Sequence, residues 1–116
     1  MVHISNEKGH ISITSEVLTY LAGDAATSCF GVKGMAGRSK EGGALQLLRR
    51  ESMSKGVEVR FHDDGSVSLD LHIGVDQGVN ISAVARSIMK EVSYKLSKAT
   101  GVPVKCVDVY VDTIIG

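Results

Sequence analysis

Val57-Glu58-Val59-Arg60-Phe61-His62-Asp63-Asp64-Gly65-Ser66-Val67-Ser68-Leu69-Asp70-Leu71-His72-Ile73 reads as two strands and the turn between them. Val57, Val59 and Phe61 alternate with Glu58, Arg60 and His62; Val67, Leu69, Leu71 and Ile73 alternate with Ser68, Asp70 and His72. A period of two sends successive side chains to opposite faces of a sheet. The same pattern sets the register. Opposing Phe61 to Val67 keeps every apolar residue on one face, whereas a two-residue loop would oppose Phe61 to Ser68 and mix the faces. The turn is therefore a three-residue loop, Asp63-Asp64-Gly65, with Gly65 at the positive-φ position. The sheet has one oily face to cover and one polar face.

Two amphipathic segments supply the cover. Thr14 or Ser15 caps a helix running to about Cys29, with Val17, Leu18, Leu21, Ala22, Ala25, Ala26 and Cys29 on one face. Gly23 inside it costs about 1 kcal/mol relative to alanine, which points to a close approach by a strand. Asn80 or Ser82 caps a second helix whose stripe is Ile81, Val84, Ala85, Ile88, Met89, Val92 and Leu96; Gly101 ends it and Pro103 prevents continuation. Around these, Gly9–Thr14 predicts a strand with Ile11 and Ile13 facing in, and Val32–Met35 another after a left-handed Gly31. Ala36–Gly43 predicts an exposed loop and Ala44–Glu51 a short helix. The last strand spans Val104–Val111, with Val107, Val109 and Val111 facing one way and Cys106, Asp108, Tyr110 and Asp112 the other. The expected fold is a single α+β domain over residues 1–116. It is a two-layer α/β sandwich, with a mixed sheet of about five strands, two long helices on one face and a short extra helix.

Composition narrows the function. Thirteen Lys and Arg balance thirteen Asp and Glu, and Trp is absent. Nucleic-acid binding needs clustered cations or stacking aromatics, and capture by an anionic bilayer needs a basic surface, so neither is expected. Near-zero net charge favours self-association. Met1-Val2-His3-Ile4 has no basic n-region and no long apolar run follows it, so direct membrane insertion is not expected. Cys29 and Cys106 form no CxxC and are expected to be reduced packing residues of a cytoplasmic protein.

Candidate chemistry is sparse. Gly31, Gly34, Gly37, Gly42 and Gly43 with Lys33, Arg38 and Lys40 suggest a phosphate loop, but no Gly-Lys-Ser/Thr opens a helix and no GxGxxG follows a strand. The other basic residues between the second and third strands, Arg49, Arg50 and Lys55, read as solvated surface, as do Lys90, Lys95 and Lys98 on the second helix. His10, His62 and His72 fall on the polar face with Asp70, Asp108 and Asp112. Yet His62 and His72 are not opposite one another, and Asp63-Asp64-Gly65 is too short for a calcium loop. No metal or cofactor is expected. The serines lie at caps and turns without G-x-S-x-G, so no nucleophile is expected either. What stands out is the polar face itself: Arg60, His62, Asp70, His72, Asp108 and Tyr110, with Glu58 opposed to Asp70 and Arg60 diagonal to it. That array is a candidate partner face.

Gly31-Val32-Lys33-Gly34-Met35-Ala36-Gly37 and Ser54-Lys55-Gly56-Val57-Glu58-Val59 add a diffuse signature to the opening Gly9-His10-Ile11-Ser12-Ile13 and the closing Thr100-Gly101 and Val104 with Val107, Val109 and Val111. With these the chain resembles the alkaline-shock (Gls-type) envelope stress-response family, and most of all its short members without a long charged tail. The resemblance implies a non-enzymatic cytoplasmic protein of cell-envelope homeostasis in Gram-positive bacteria. Some relatives are held at the membrane by a separate anchored partner, some assemble into oligomers, and genes of the short members often neighbour a fatty-acid or dihydroxyacetone-type kinase. No functional residue is carried over. The expected function is protein–protein interaction, with itself or with a membrane-anchored or lipid-metabolism protein. The competing reading is a regulator that binds an acyl or phosphate metabolite in a pocket between helices and sheet.

Overall fold

The computed structural model describes residues 1–38, 45–47 and 56–116. Its elements are β1 (Val2–Asn6), β2 (Gly9–Ile13), α1 (Ser15–Thr27), β3 (Val32–Arg38), β4 (Leu45–Leu47), β5 (Val57–Phe61), β6 (Val67–Asp76), α2 (Ile81–Thr100) and β7 (Val104–Ile115).

β6 organises the sheet. Along one edge it pairs antiparallel first with β5, from Phe61↔Val67 to Val57↔Leu71, and then with β3, from Met35↔Ile73 to Val32↔Val75. Along the other edge it pairs parallel with β7 for its whole length. The hairpin has the register and loop read from the sequence: the His62 amide donates to the Ser66 carbonyl at 2.9 Å, and Gly65 has φ +87°. Within the turn the Ser66 amide and hydroxyl both donate to Asp64 Oδ1, at 2.9 and 2.6 Å. Those two bonds hold the Asp64 carboxyl below its ordinary pKa, because they favour the charged form.

Val67, Leu69, Leu71, Ile73 and Val75 project from β6 into one core with Leu18, Ala22, Ala25 and Ala26 of α1 and Val84, Ile88, Val92 and Leu96 of α2. Both helices start at the expected caps. Thr14 Oγ accepts from the Val17 amide at 3.4 Å and Asn80 Oδ1 from the Ala83 amide at 3.0 Å. Gly101 closes α2 in the left-handed region, its amide donating to Ser97 O at 2.8 Å. Gly31 also has positive φ, and a Cβ there would lie 3.0 Å from Val84 Cγ2. Glycine at this position lets the end of α1 close against α2. Among the described residues no helix is long and apolar enough to cross a membrane.

Four expectations are corrected. The Gly9–Ile13 strand does not join the main sheet; it forms a separate two-stranded ribbon with β1, a strand the sequence reading did not identify. Only the base of that ribbon reaches the core. Val2 is buried and Ile13 packs against the cluster, but Ile11 is 58% exposed. The Ala36–Gly43 loop begins as strand, since β3 continues to Arg38, and Leu45–Leu47 is a strand paired with it, not part of a helix. The free edge of β3 beyond Met35 offers backbone partners, and pairing there overrides the helix propensity of leucine. The remainder of Ala36–Gly43 and Ala44–Glu51 lies outside the described residues. The helix stripes are also narrower than expected, with Val17, Ile81 and Met89 exposed.

The two thiols differ. Cys29 is half-buried, and burial pushes its thiol above the ordinary pKa, whereas Cys106 is exposed. Labelling with a thiolate-specific reagent at mildly alkaline pH is expected to modify Cys106 first and Cys29 on the order of tenfold more slowly. Cys106→Ser should remove the fast phase; loss of the slow phase instead would reverse the assignment.

Candidate interaction face

The face of the sheet opposite the helices is built by register. Arg60, Ser68 and Cys106 lie in one row across β5, β6 and β7; Glu58, Asp70 and Asp108 lie in the next; His72 and Tyr110 lie beyond them. The second row places three carboxylates side by side, an arrangement that like-charge repulsion disfavours. Arg60 answers it. Its Nη2 donates to Asp70 Oδ1 at 3.2 Å and to Asp108 Oδ2 at 3.5 Å. The Asp70 side chain is only 12% exposed, against 53% for Arg60. A carboxylate so shielded needs a counter-charge, and the guanidinium keeps its own outer side open to solvent.

A second linkage runs through Ser68. The Cys106 thiol donates to Ser68 Oγ at 3.2 Å, and Ser68 Oγ lies 2.7 Å from His62 Nε2. Ser68 is 2% exposed, so its hydroxyl is closed to solvent while Cys106 is open. The third linkage involves His72, whose Nδ1 lies 2.8 Å from Asp112 Oδ2 while its ring stacks on Tyr110 at 4.8 Å and 13°. Asp112 is the extra residue where the β6–β7 register slips between Val111 and Thr113. Lys33 and Asp76, 3.2 Å apart, close the β3 end.

All six candidate residues therefore share this face, and two of the three linkages join them directly. His10 does not; it lies on the β1–β2 ribbon. Ser68 and Cys106 were not read as members, although the hairpin register already placed Ser68 beside Arg60. Among the described residues no three His, Cys, Asp or Glu side chains are grouped to hold a metal ion. Side chains of Arg38, Lys40, Arg49, Arg50 and Lys55, and the glycines at 42 and 43, lie outside the described residues. A cavity of about 290 Å³ is lined by Glu91, Tyr94, Lys95, Lys98 and Ala99, all from α2, and does not open between helices and sheet.

Comparison with known proteins gives a consistent lineage. YloU of Bacillus subtilis is 33% identical over 114 residues, 97% of this chain and 94% of that protein. Spy1614 of Streptococcus pyogenes is 37% identical over 114 residues, covering 97% and 93%. YqhY of Bacillus subtilis is 29% identical over 111 residues, covering 96% and 81%. In fold, the chain is similar to a solved C-terminal domain of MamM with a TM-score of 0.52, covering 86% of this chain and 99% of that one at 16% identity. At that identity the likeness concerns architecture alone. The Asp-23 family, named without reference to any residue of this chain and described by a cell envelope-related function, matches residues 3–115. With this match spanning nearly every residue, the chain belongs to the Asp-23 family.

Proposed function

We propose that this protein acts in envelope stress response of the alkaline-shock type in Gram-positive bacteria, as a non-catalytic cytoplasmic component that docks a protein partner through the polar sheet face. The observation that carries the reading is the Arg60–Asp70–Asp108 bridge beside the His72–Tyr110 stack. Each side chain is held before a partner arrives, which lowers the ordering cost of association. Arg and Tyr are also the side chains that most often dominate protein interfaces. The link to the envelope rests on family membership. The second reading is a regulator that binds an acyl or phosphate metabolite, whose pocket would lie between helices and sheet.

The test is affinity capture from native lysate and from solubilised membranes, with wild type beside Arg60→Glu and Tyr110→Ala. A specific partner is expected to fall at least about tenfold with either variant, the effect of losing one interface hot spot. Recovery that is identical with all three proteins overturns the assignment of this face. Enrichment from the membrane fraction would identify the partner as membrane-held.

A further inference from the structure

The charges of this neutral chain are not evenly spread. Glu58, Asp70 and Asp108 share the sheet face with Arg60, whereas α2 carries Arg86, Lys90, Lys95 and Lys98 and a single acid, Glu91. Arg86, Lys90, Tyr94 and Lys98 are all exposed and follow one another at four-residue steps. Four residues turn a helix by about 400°, so these side chains form a slowly winding strip about 18 Å long. Each lies two residues beyond a member of the buried stripe Val84, Ile88, Val92 and Leu96, about 200° round the axis, so the strip points away from the core. We propose that this strip is a second docking surface, which takes an acidic segment of a partner protein. It lies on the helix side and does not rest on the assignment of the polar sheet face.

The cations of the strip are available to a partner. Among the described residues Lys33, Arg60 and Lys95 form ion pairs with carboxylates, Lys95 with Asp24 of α1 at 3.2 Å, while Arg86, Lys90 and Lys98 form none. Glu91 stands three and four residues from Tyr94 and Lys95, and at neither spacing from Arg86, Lys90 or Lys98, so it is not their neighbour on the helix surface. Arg86 and Lys90 instead stand four apart, a like-charge pair that mildly destabilises a helix. Carboxylates laid along the strip relieve that repulsion. Lys98 is already oriented: its Nζ donates to the Tyr94 hydroxyl at 3.2 Å and lies 5.4 Å from the centre of the Tyr94 ring. Tyr94 is 59% exposed, and the cavity it lines with Glu91, Lys95, Lys98 and Ala99 gives room for a partner side chain.

The distribution of acids selects the occupant. A flat anionic bilayer would meet the helical layer as a whole. There the four cations of α2 stand against Glu16, Asp24 and Glu91, which leaves too little excess charge for lipid capture, since each cation near an anionic surface contributes only about 1 kcal/mol. A polypeptide segment is narrow enough to run along the strip alone, where its carboxylates meet a cation on either side of Tyr94. Exposed charges of this kind govern encounter and specificity more than affinity, so the contact is of modest strength and sensitive to salt. The polar sheet face lies on the other side of the domain, so the two surfaces can be occupied together.

Fluorescence anisotropy with labelled decaglutamate at low ionic strength tests this. Wild type is expected to bind the peptide, and salt at about 1 M to abolish binding. Lys90→Gln/Lys98→Gln should weaken it about tenfold, the loss of two exposed ion pairs, with an unchanged melting curve. Lys8→Gln/Lys105→Gln makes the same change in net charge away from the strip and should stay within about twofold of wild type. Arg60→Glu, on the opposite face, should also bind as wild type, so failure of this surface and failure of the sheet face are distinguished. Absence of decaglutamate binding at low salt overturns the proposal. So does equal weakening in the two lysine pairs, which would mark attraction to net charge alone. Co-sedimentation with phosphatidylglycerol vesicles that is lost in Lys90→Gln/Lys98→Gln would overturn it in favour of a bilayer.

Discussion

Leu71→Ala is expected to cost about 3–4 kcal/mol, from the lost transfer free energy together with the cavity left behind. Leu71 has no solvent exposure and occupies the middle of the central strand, flanked in register by Val57 and Val109. Neighbours fixed by backbone pairing on both sides have little freedom to collapse into the vacated volume, which places the cost high in the range for such truncations. At about 4 °C per kcal/mol for a domain of this length, the melting midpoint should fall by about 12–16 °C. Ile11→Ala provides the contrast. Ile11 is also a β-branched or branched aliphatic strand residue, but it lies exposed on the β1–β2 ribbon, so the change should be within about 0.5 kcal/mol. Calorimetry on the two variants decides whether the core is where the structure places it; equal shifts would contradict it.

Gly56→Val should cost about 3 kcal/mol by overpacking a site with no compliant wall. A Cβ at Gly56 would lie 2.9 Å from the Ala36 carbonyl oxygen and 3.2 Å from that of His72. Both are backbone atoms of paired strands, so relief requires moving β3 or β6 themselves. Gly56 marks the point where β6 exchanges one neighbour for another: β3 pairs up to Met35↔Ile73, and β5 begins at Val57↔Leu71. Gly78→Ala is the control. Its Cβ would meet open space, leaving the positive-φ cost of about 1–2 kcal/mol. Denaturant titration should show a lower midpoint with an unchanged slope for Gly56→Val. A midpoint equal to that of Gly78→Ala would mean that the junction is not tight.

The hairpin was legible because its alternation runs through two full strands and only one register keeps the faces separate. The caps at Asn80 and Gly101 were legible because their chemistry is local. Leu45–Leu47 was not, since three residues carry both helical and strand readings and the choice came from the free edge of β3, distant in sequence. The β1–β2 ribbon was missed although Val2-His3-Ile4-Ser5 alternates ahead of a turn ending in Gly9. Nothing local says that two such strands pair apart from the main sheet. Of the candidate face, the hairpin half followed from register and included the Arg60–Asp70 diagonal. The contribution of β7 depended on a parallel pairing across α2. Thus Cys106 beneath Ser68 and Asp112 against His72 were visible as residues of one face but not as bonded partners.

The position of β6 has a consequence for how the domain unfolds. β3 and β5 precede it, β7 follows it, and all three hydrogen-bond to it, while both helices rest on its buried side chains. A cut between β4 and β5 would take from β6 its pairing with β3 and the cover of α1 together. Loss of any one neighbour strips the shared strand of its ladder and weakens the rest together. The sheet and helices are therefore expected to unfold as a single cooperative unit.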